Sequence, residues 1–174
     1  MQNVTIRPAA AHDIAAITRI YAHAVVHGTA SFEIDPPDQA EMARRQRTII
    51  DGGYPYIVAE AGGAVMGYGY AGHYRARRAY RWSVEDSVYI ASDAHRRGIG
   101  RALLAQLIAE SEQRGFRQMV AVIGDSRQVA SIALHRALGF VLVGTLVSVG
   151  FKHGRWLDTV LMQRSLGAGS TTAP

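Results

Sequence analysis

The sequence contains no cysteine, and that one absence removes disulfides, thiolate metal sites, iron–sulfur clusters and a cysteine nucleophile together. A chain without thiols is compatible with a reducing cytoplasm. No apolar run approaches the roughly 18 residues that a membrane-spanning helix needs. The opening residues MQNVTIRPAAAHD lack a basic segment followed by an apolar stretch and a small-residue cleavage site. A cytoplasmic protein that does not enter a membrane is therefore expected. There is no internal repeat and no long linker, and the only biased segment is the terminal GAGSTTAP, read as a flexible tail over residues 167–174.

What is present is the composition of one folded domain. Of 174 residues 48% are hydrophobic and 19% charged, which is not a disordered composition, and a domain near this size buries roughly 70% of the surface its unfolded chain exposes. We expect a single domain over residues 1–166. The net charge is +5, and the arginines that produce it gather at residues 75–81 and 96–101.

Periodicity orders the elements. A short strand at residues 4–7 ends at Pro8. Asp13 is placed to cap a helix whose apolar residues Ile14, Ile17, Tyr21, Ala24 and Val25 recur at steps of three and four. A loop at residues 28–37 ends in two prolines, and a polar helix follows at residues 38–50. Two strands, residues 56–61 and 64–74, meet at Gly62-Gly63, a pair suited to a two-residue hairpin. A β-rich run at residues 83–91 leads through a polar turn into a helix with Ile99, Leu103, Leu104, Leu107 and Ile108 on one face. A short apolar run at residues 119–123 is of the buried-strand type, although its length also suits a helix. A helix at residues 130–138 has Gly139 at its C-cap, and two last strands, residues 141–151 and 156–163, meet at His153-Gly154. The order is that of an α/β fold with a mixed sheet.

The sharpest chemical signal lies where the strand containing Asp86 to Ala91 turns into the helix that begins near Ile99. A helix N-terminus exposes unpaired N–H groups and a partial positive charge, and glycines let a phosphate approach those amides. Gly98 and Gly100 stand at that point, with Arg96, Arg97 and Arg101 adding formal charge suited to a pyrophosphate. The same residues also suit a basic surface turn.

The turn resembles the acetyl-CoA pyrophosphate loop of the GNAT superfamily, in which a Gln or Arg stands three residues before a Gly-x-Gly; here His95 stands there. Leu134-His135-Arg136-Ala137-Leu138-Gly139-Phe140 resembles that superfamily's Leu-Tyr-x-x-x-Gly-Phe, with His135 at the tyrosine. Ile6-Arg7-Pro8, Thr29-Ala30-Ser31-Phe32-Glu33, Gly53-Tyr54-Pro55, Val84-Glu85, Ser87-Val88-Tyr89 and Val149-Gly150-Phe151-Lys152-His153-Gly154-Arg155-Trp156-Leu157-Asp158 are similar to the phosphinothricin and methionine sulfoximine N-acetyltransferase family. That likeness runs from about Ile6 to Leu166.

The resemblance implies a GNAT fold, a mixed and mostly antiparallel sheet flanked by helices, and direct attack of a substrate amine on the thioester of acetyl-CoA, with no metal. It implies Glu85 as general base and His135 as the acid for the leaving thiolate, a role open to an imidazole while it is protonated; the other reading of His135 is a histidine satisfied on a packed helix. Glu85, Asp86 and Ser87 are expected at the substrate, with Arg75, Ala76 and Arg77 receiving its carboxylate and oxygen-rich side chain, and Phe32 and Glu33 closing the pocket. The backbone of Val88, Tyr89 and Ile90 is expected to bind the pantetheine arm and polarise the thioester carbonyl. Arg96, Arg97, Gly98, Ile99, Gly100 and Arg101 are assigned to the pyrophosphate. Gln128, where the family usually has Asn, is assigned to the same cofactor. A homodimer and a small amino-acid-like substrate complete the expectation.

Other readings weigh less. Gly67-Tyr-Gly-Tyr-Ala-Gly72 matches G-x-G-x-x-G, but no amphipathic helix follows, as a dinucleotide site requires. His23 and His27 share a helical face without a third zinc ligand. Residues 74–82 interleave arginines with aromatics, the chemistry of single-strand binding, yet no nucleic-acid motif accompanies them, and we expect no nucleic-acid partner. The alternatives are a GNAT enzyme acting on peptide or protein amines and, further off, a nucleic-acid-binding module.

Overall fold

The computed structural model describes residues 4–174; Met1, Gln2 and Asn3, at the start of the expected domain, lie outside the described residues. In chain order the elements are β1 (Thr5–Pro8), a single helical turn at Ala11–Asp13, α1 (Ile14–His27), α2 (Gln39–Asp51), β2 (Tyr56–Ala61), β3 (Ala64–His73), β4 (Ser83–Ile90), α3 (Ile99–Gln113), β5 (Gln118–Gly124), α4 (Val129–Ala137), β6 (Val141–Lys152) and β7 (Arg155–Ser165). The strands form one seven-stranded sheet in the order β1-β2-β3-β4-β5-β7-β6. Every neighbouring pair is antiparallel except β4 with β5. The ambiguous apolar run at residues 119–123 is thus a strand, central in the sheet.

Period-two alternation builds a core on each face. Ile57 and Ala59 point to one side with Val84, Met119 and Ala121, and are covered by Ile99, Leu103, Leu104 and Leu107 of α3. Tyr56 and Val58 point to the other, beneath Ile14, Ile17, Tyr21 and Val25 of α1 and Met42 of α2. Leu103, Leu104 and Leu107 are fully buried, each worth roughly 1.5–3 kcal/mol relative to exposure. The hairpin turns follow their residues: Gly62 and Gly63 have φ of 58° and 77°, His153 and Gly154 of 50° and 71°, the two positive angles that a type I′ turn needs.

Asp13 departs from its expected role. Its own backbone is helical (φ −78°, ψ −15°) and its side chain makes no capping bond to α1, because a cap requires an extended residue. The carboxylate instead accepts hydrogen bonds from both terminal nitrogens of Arg7 (2.7 and 2.8 Å) and from the Ala10 amide (2.8 Å). Asp38 does cap α2, accepting from the Glu41 amide at 2.8 Å. Residues 167–174 form turns in which Gly169 donates to the Leu166 carbonyl (2.8 Å) and Arg117 reaches Thr172 Oγ1 (3.3 Å).

Candidate active site

The sheet has one parallel seam, and it is short. β4 pairs with β5 only from Ser83↔Gln118 to Asp86↔Ala121, whereas β5 continues to Gly124 along β7 and β4 continues to Ile90 along β3. Beyond Asp86 the two central strands part. The Ala91 amide bonds to the Met66 carbonyl at 2.9 Å on the β3 side. Alternation of an antiparallel ladder then turns the backbone groups of Tyr89 and Ser87 toward β3, and those of Val88 and Ile90 toward the gap. Of the three residues expected to offer backbone groups, Val88 and Ile90 are oriented to do so. Tyr89 contributes its ring instead, edge-on to Tyr21 at 5.0 Å and stacked on Tyr68 at 5.3 Å.

Side chains of β4 alternate across the sheet, which separates neighbours in sequence. Glu85, Ser87 and Tyr89 lie on the α1 side. Burial lifts the Glu85 carboxyl above its ordinary range, Asp86 adds to the lift, and Arg75 opposes it. Asp86 goes to the other face, so it does not join Glu85 and Ser87 at one surface. There it is buried and meets His135, Nε2 lying 3.0 Å from Asp86 Oδ2. His135 Nδ1 is 2.8 Å from the Ser131 carbonyl, and the ring stands edge-on to Phe140 at 4.9 Å. Burial lowers the affinity of this imidazole for a proton, but the Asp86 contact and charge and the Ser131 carbonyl together outweigh it and raise its pKa.

At the far end of β4 the chain turns into α3 through Arg96 and Gly98, both with positive φ (64° and 79°). Gly98 is the N-cap and supplies no side chain to the first turn, so the amides of Ile99, Gly100 and Arg101 are left for an external acceptor. A Cβ on Gly98 would meet nothing within 4 Å, and one on Gly100 would lie 3.3 Å from Leu134 and 4.0 Å from Ile90. The open amides therefore adjoin the end of the gap. Arg96, Arg97 and Arg101 are exposed around them and, among the described residues, enter no ion pair. The same holds for Arg75 and Arg77, which with Ala76 lie exposed in the loop joining β3 to β4; the charge of Arg75 reaches Glu85.

Residues 28–33 are fixed by groups distant in sequence. Lys152, the only lysine of the chain, is buried and donates to the Ser31 carbonyl at 2.8 Å; desolvation lowers its pKa. His153 Nε2 lies 3.2 Å from the Gly28 carbonyl. Asp125, held by Arg155, accepts from Thr29 Oγ1 at 3.1 Å. Gln128 donates to that same hydroxyl at 3.0 Å, so its amide nitrogen is directed at Thr29. The Phe32 ring is packed so closely that a Cβ on Gly124 would come within 2.8 Å of it. Glu33 pairs with Arg45 at 2.6 Å and accepts from the Tyr21 hydroxyl at 3.0 Å, a phenol that burial pushes up to about 12.

A family model described as an acetyltransferase (GNAT) domain matches residues 6–161. The chain belongs to the GNAT acetyltransferase family. A phosphinothricin N-acetyltransferase of Alcaligenes faecalis is 57% identical over 170 residues, 98% of this chain and 86% of the relative. An L-methionine sulfoximine/L-methionine sulfone acetyltransferase of Salmonella typhimurium is 40% identical over 166 residues, 94% of this chain and 95% of the relative. The crystal structure of a GNAT superfamily phosphinothricin acetyltransferase from Sinorhizobium meliloti in complex with AcCoA superposes with a TM-score of 0.96 at 53% identity, covering 98% of this chain and 92% of that one.

Sequence reading of this GNAT chain missed the tyrosines on the Glu85 side. Tyr56, Tyr68 and Tyr70 stack with ring centroids 5.2 to 6.5 Å apart. The alternation Gly67-Tyr68-Gly69-Tyr70 was the available signal, since strand period puts both rings on one face. Gly67, Gly69 and Gly72 lie inside β3 and form no strand-to-helix turn. His23 and His27 have rings 4.6 Å apart; no group of three metal-ligating side chains occurs among the described residues.

Proposed function

We propose that the chain is an acetyl-coenzyme A dependent N-acetyltransferase acting on the α-amine of a small amino-acid-like substrate of the phosphinothricin, methionine sulfoximine or methionine sulfone type. The observation that carries this reading is the parting of β4 from β5, bordered by open helix amides at Gly98 on one side and by the Glu85 carboxyl near Arg75 on the other. The relatives' named activities support the substrate class.

The residues fit the carrier. The amides of Ile99, Gly100 and Arg101 and the guanidiniums of Arg96, Arg97 and Arg101 would hold its pyrophosphate, and the free backbone groups of Val88 and Ile90 would hold the pantetheine arm. When bound, acetyl-CoA supplies an activated acyl group. Glu85 takes a proton from the substrate ammonium, because only the neutral amine is a nucleophile; its raised pKa brings it closer to the operating pH, where a general base is most effective. Arg75 and Arg77, in no ion pair among the described residues, offer cations to the substrate carboxylate, and Phe32 walls the pocket. Backbone N–H groups facing the gap stabilise negative charge that develops on an acyl oxygen.

The edge strand supports a homodimer. Val141, Leu142, Val143, Leu146, Val147 and Val149 of β6 are each 50% exposed or more, and a long apolar edge left uncovered invites aggregation. A second copy of the same chain would bury it. No helix is long and apolar enough to cross a membrane among the described residues, and dependence on an intracellular acyl carrier supports a cytoplasmic enzyme.

Free-thiol release from acetyl-CoA across a panel of amino acids and peptides tests the proposal. Turnover is expected with methionine sulfoximine, methionine sulfone or phosphinothricin. Release with peptides alone assigns the enzyme to peptide amines, and no release together with no calorimetric binding of coenzyme A overturns the reading. Sedimentation at micromolar concentration tests the dimer, and a monomer there refutes it.

A further inference from the structure

We infer that Asp86 is a positioning residue that holds His135 as a doubly protonated acid on the leaving-group side of the sheet, and is not a ligand of the substrate. The inference deepens the acetyltransferase reading and rests on it for the identity of the leaving group, but the geometry behind it does not. Three observations carry it. The carbonyl of Ser131 can only accept, so at 2.8 Å it calls for the proton of His135 on Nδ1; the Ser131 hydroxyl, 3.5 Å from the same nitrogen, is too distant to compete as a donor. The second nitrogen, Nε2, is 3.0 Å from Asp86 Oδ2, where a bare lone pair would face a carboxylate. Both nitrogens therefore face acceptors, and the imidazolium satisfies both.

The third observation concerns Asp86 itself. Its residue is 7% exposed, and Oδ1 is buried with no hydrogen-bond partner among the described residues. A buried carboxylate is stable only with a counter-charge, and His135 is the cation against it. No other charged side chain is bonded to either group among the described residues. Glu85 projects to the opposite face, Arg136 beside the ring on α4 is exposed, and Ser131 and Phe140, which also contact the ring, carry no charge.

Asp86 is also the last residue of β4 paired with β5, so the ion pair sits where the gap begins. The pair holds two ring protons, on Nδ1 and Nε2, and giving up one of them leaves a neutral imidazole. The departing sulfur keeps the electron pair of the broken carbon–sulfur bond and receives that proton. The role is the counterpart of Glu85: one carboxylate accepts the amine's proton on one face, and the other maintains an acid on the opposite face.

The test is D86N, which preserves size and leaves an oxygen able to accept from Nε2 while removing the charge. Nitrogen-15 NMR of imidazole-labelled protein without any acyl carrier follows His135 directly. In the parent, His135 is expected to be mostly doubly protonated at pH 6.5; in D86N its titration should move down by about one pH unit or more, the size of shift that a close opposite charge produces. With saturating acetyl-CoA the alkaline limb of kcat should move down with it, while KM for the amine stays within about twofold. A neutral His135 at pH 6.5 in the parent overturns the inference even if D86N fails to fold. So does a folded D86N whose His135 titration is unmoved and whose KM rises instead, the result for a substrate ligand. Failure of the acetyltransferase reading leaves the NMR prediction standing, so the two are separable.

Discussion

Replacing Glu85 by Gln removes a proton acceptor while keeping the shape of the side chain, which makes it the cleanest probe of the site. An α-amine with even the pKa of about 8 of a peptide N-terminus is roughly nine-tenths protonated at pH 7, and that of a free amino acid, whose own carboxylate stabilises the ammonium, more so still. Without a base, the enzyme must wait for the small neutral fraction or pass the proton to water. General-base catalysis typically contributes about 10²–10⁴-fold, so E85Q should lose at least about 100-fold in kcat/KM at pH 7, or roughly 2.7 kcal/mol of transition-state stabilisation. The deficit should itself depend on pH. Below the amine's pKa the neutral fraction rises about tenfold per pH unit, so the variant should recover steeply with pH while the parent levels off above the pKa of Glu85. That pKa is raised by burial and by Asp86, and the parent's acid limb should therefore lie above the ordinary carboxylate range. Initial rates of thiol release between pH 5 and pH 9 (about the range over which both groups titrate) test both points. An E85Q variant within a few-fold of the parent, with an unchanged acid limb, would show that Glu85 is not the base.

Lys152→Met removes the donor to the Ser31 carbonyl while relieving the desolvation of a buried amine, so stability should change little while residues 31–33 lose a tether; KM for the amine should rise about tenfold, the worth of one charged hydrogen bond, with kcat less affected, as steady-state kinetics and a melting curve would show. Gly98→Ala meets no clash, since nothing lies within 4 Å of the new methyl, but the φ of 79° costs it about 1 kcal/mol; calorimetry should find weaker coenzyme A binding, and unchanged affinity would argue against the amide cradle. Asp13→Asn should destabilise by roughly 2 kcal/mol, because Arg7 loses its bidentate partner but retains Glu60 at 2.6 Å. The Arg7 contacts hold the folded Asp13 pKa below its unfolded value, so that stability is present above about pH 4 and disappears as pH falls through the lower folded pKa; denaturant melts from pH 7 to about pH 2 should show the parent and variant converging in acid.

Much of the fold was legible because its signals are local. The stripe of Ile99, Leu103, Leu104, Leu107 and Ile108, the alternation in β2, and the turns at Gly62-Gly63 and His153-Gly154 each depend on residues a few positions apart. Gly98 at the head of α3 was legible for the same reason: a helix start exposes amides wherever it occurs, and a glycine there leaves them open. Glu85 and His135 came from family likeness, and the geometry that connects each to its surroundings came from elsewhere.

Tertiary structure alone decided the partners. A strand's period places Asp86 opposite to Glu85, but it does not say that α4 brings His135 to that face, 49 positions later in sequence. It does not say that Lys152 meets Ser31 across 121 positions, or that Gln128 turns to Thr29. Asp13 carries the sequence signal of a helix cap, but its backbone is already helical and its carboxylate turns back to Arg7 and the Ala10 amide. The length of the β4–β5 seam is likewise invisible in either strand: both continue past Asp86↔Ala121, and only their other neighbours, β3 and β7, draw them apart. Pair energies between distant residues depend on strand register, which a repeat of two leaves open. The sequence by itself determined the elements and the residues able to do chemistry, and the packing determined which of those residues meet.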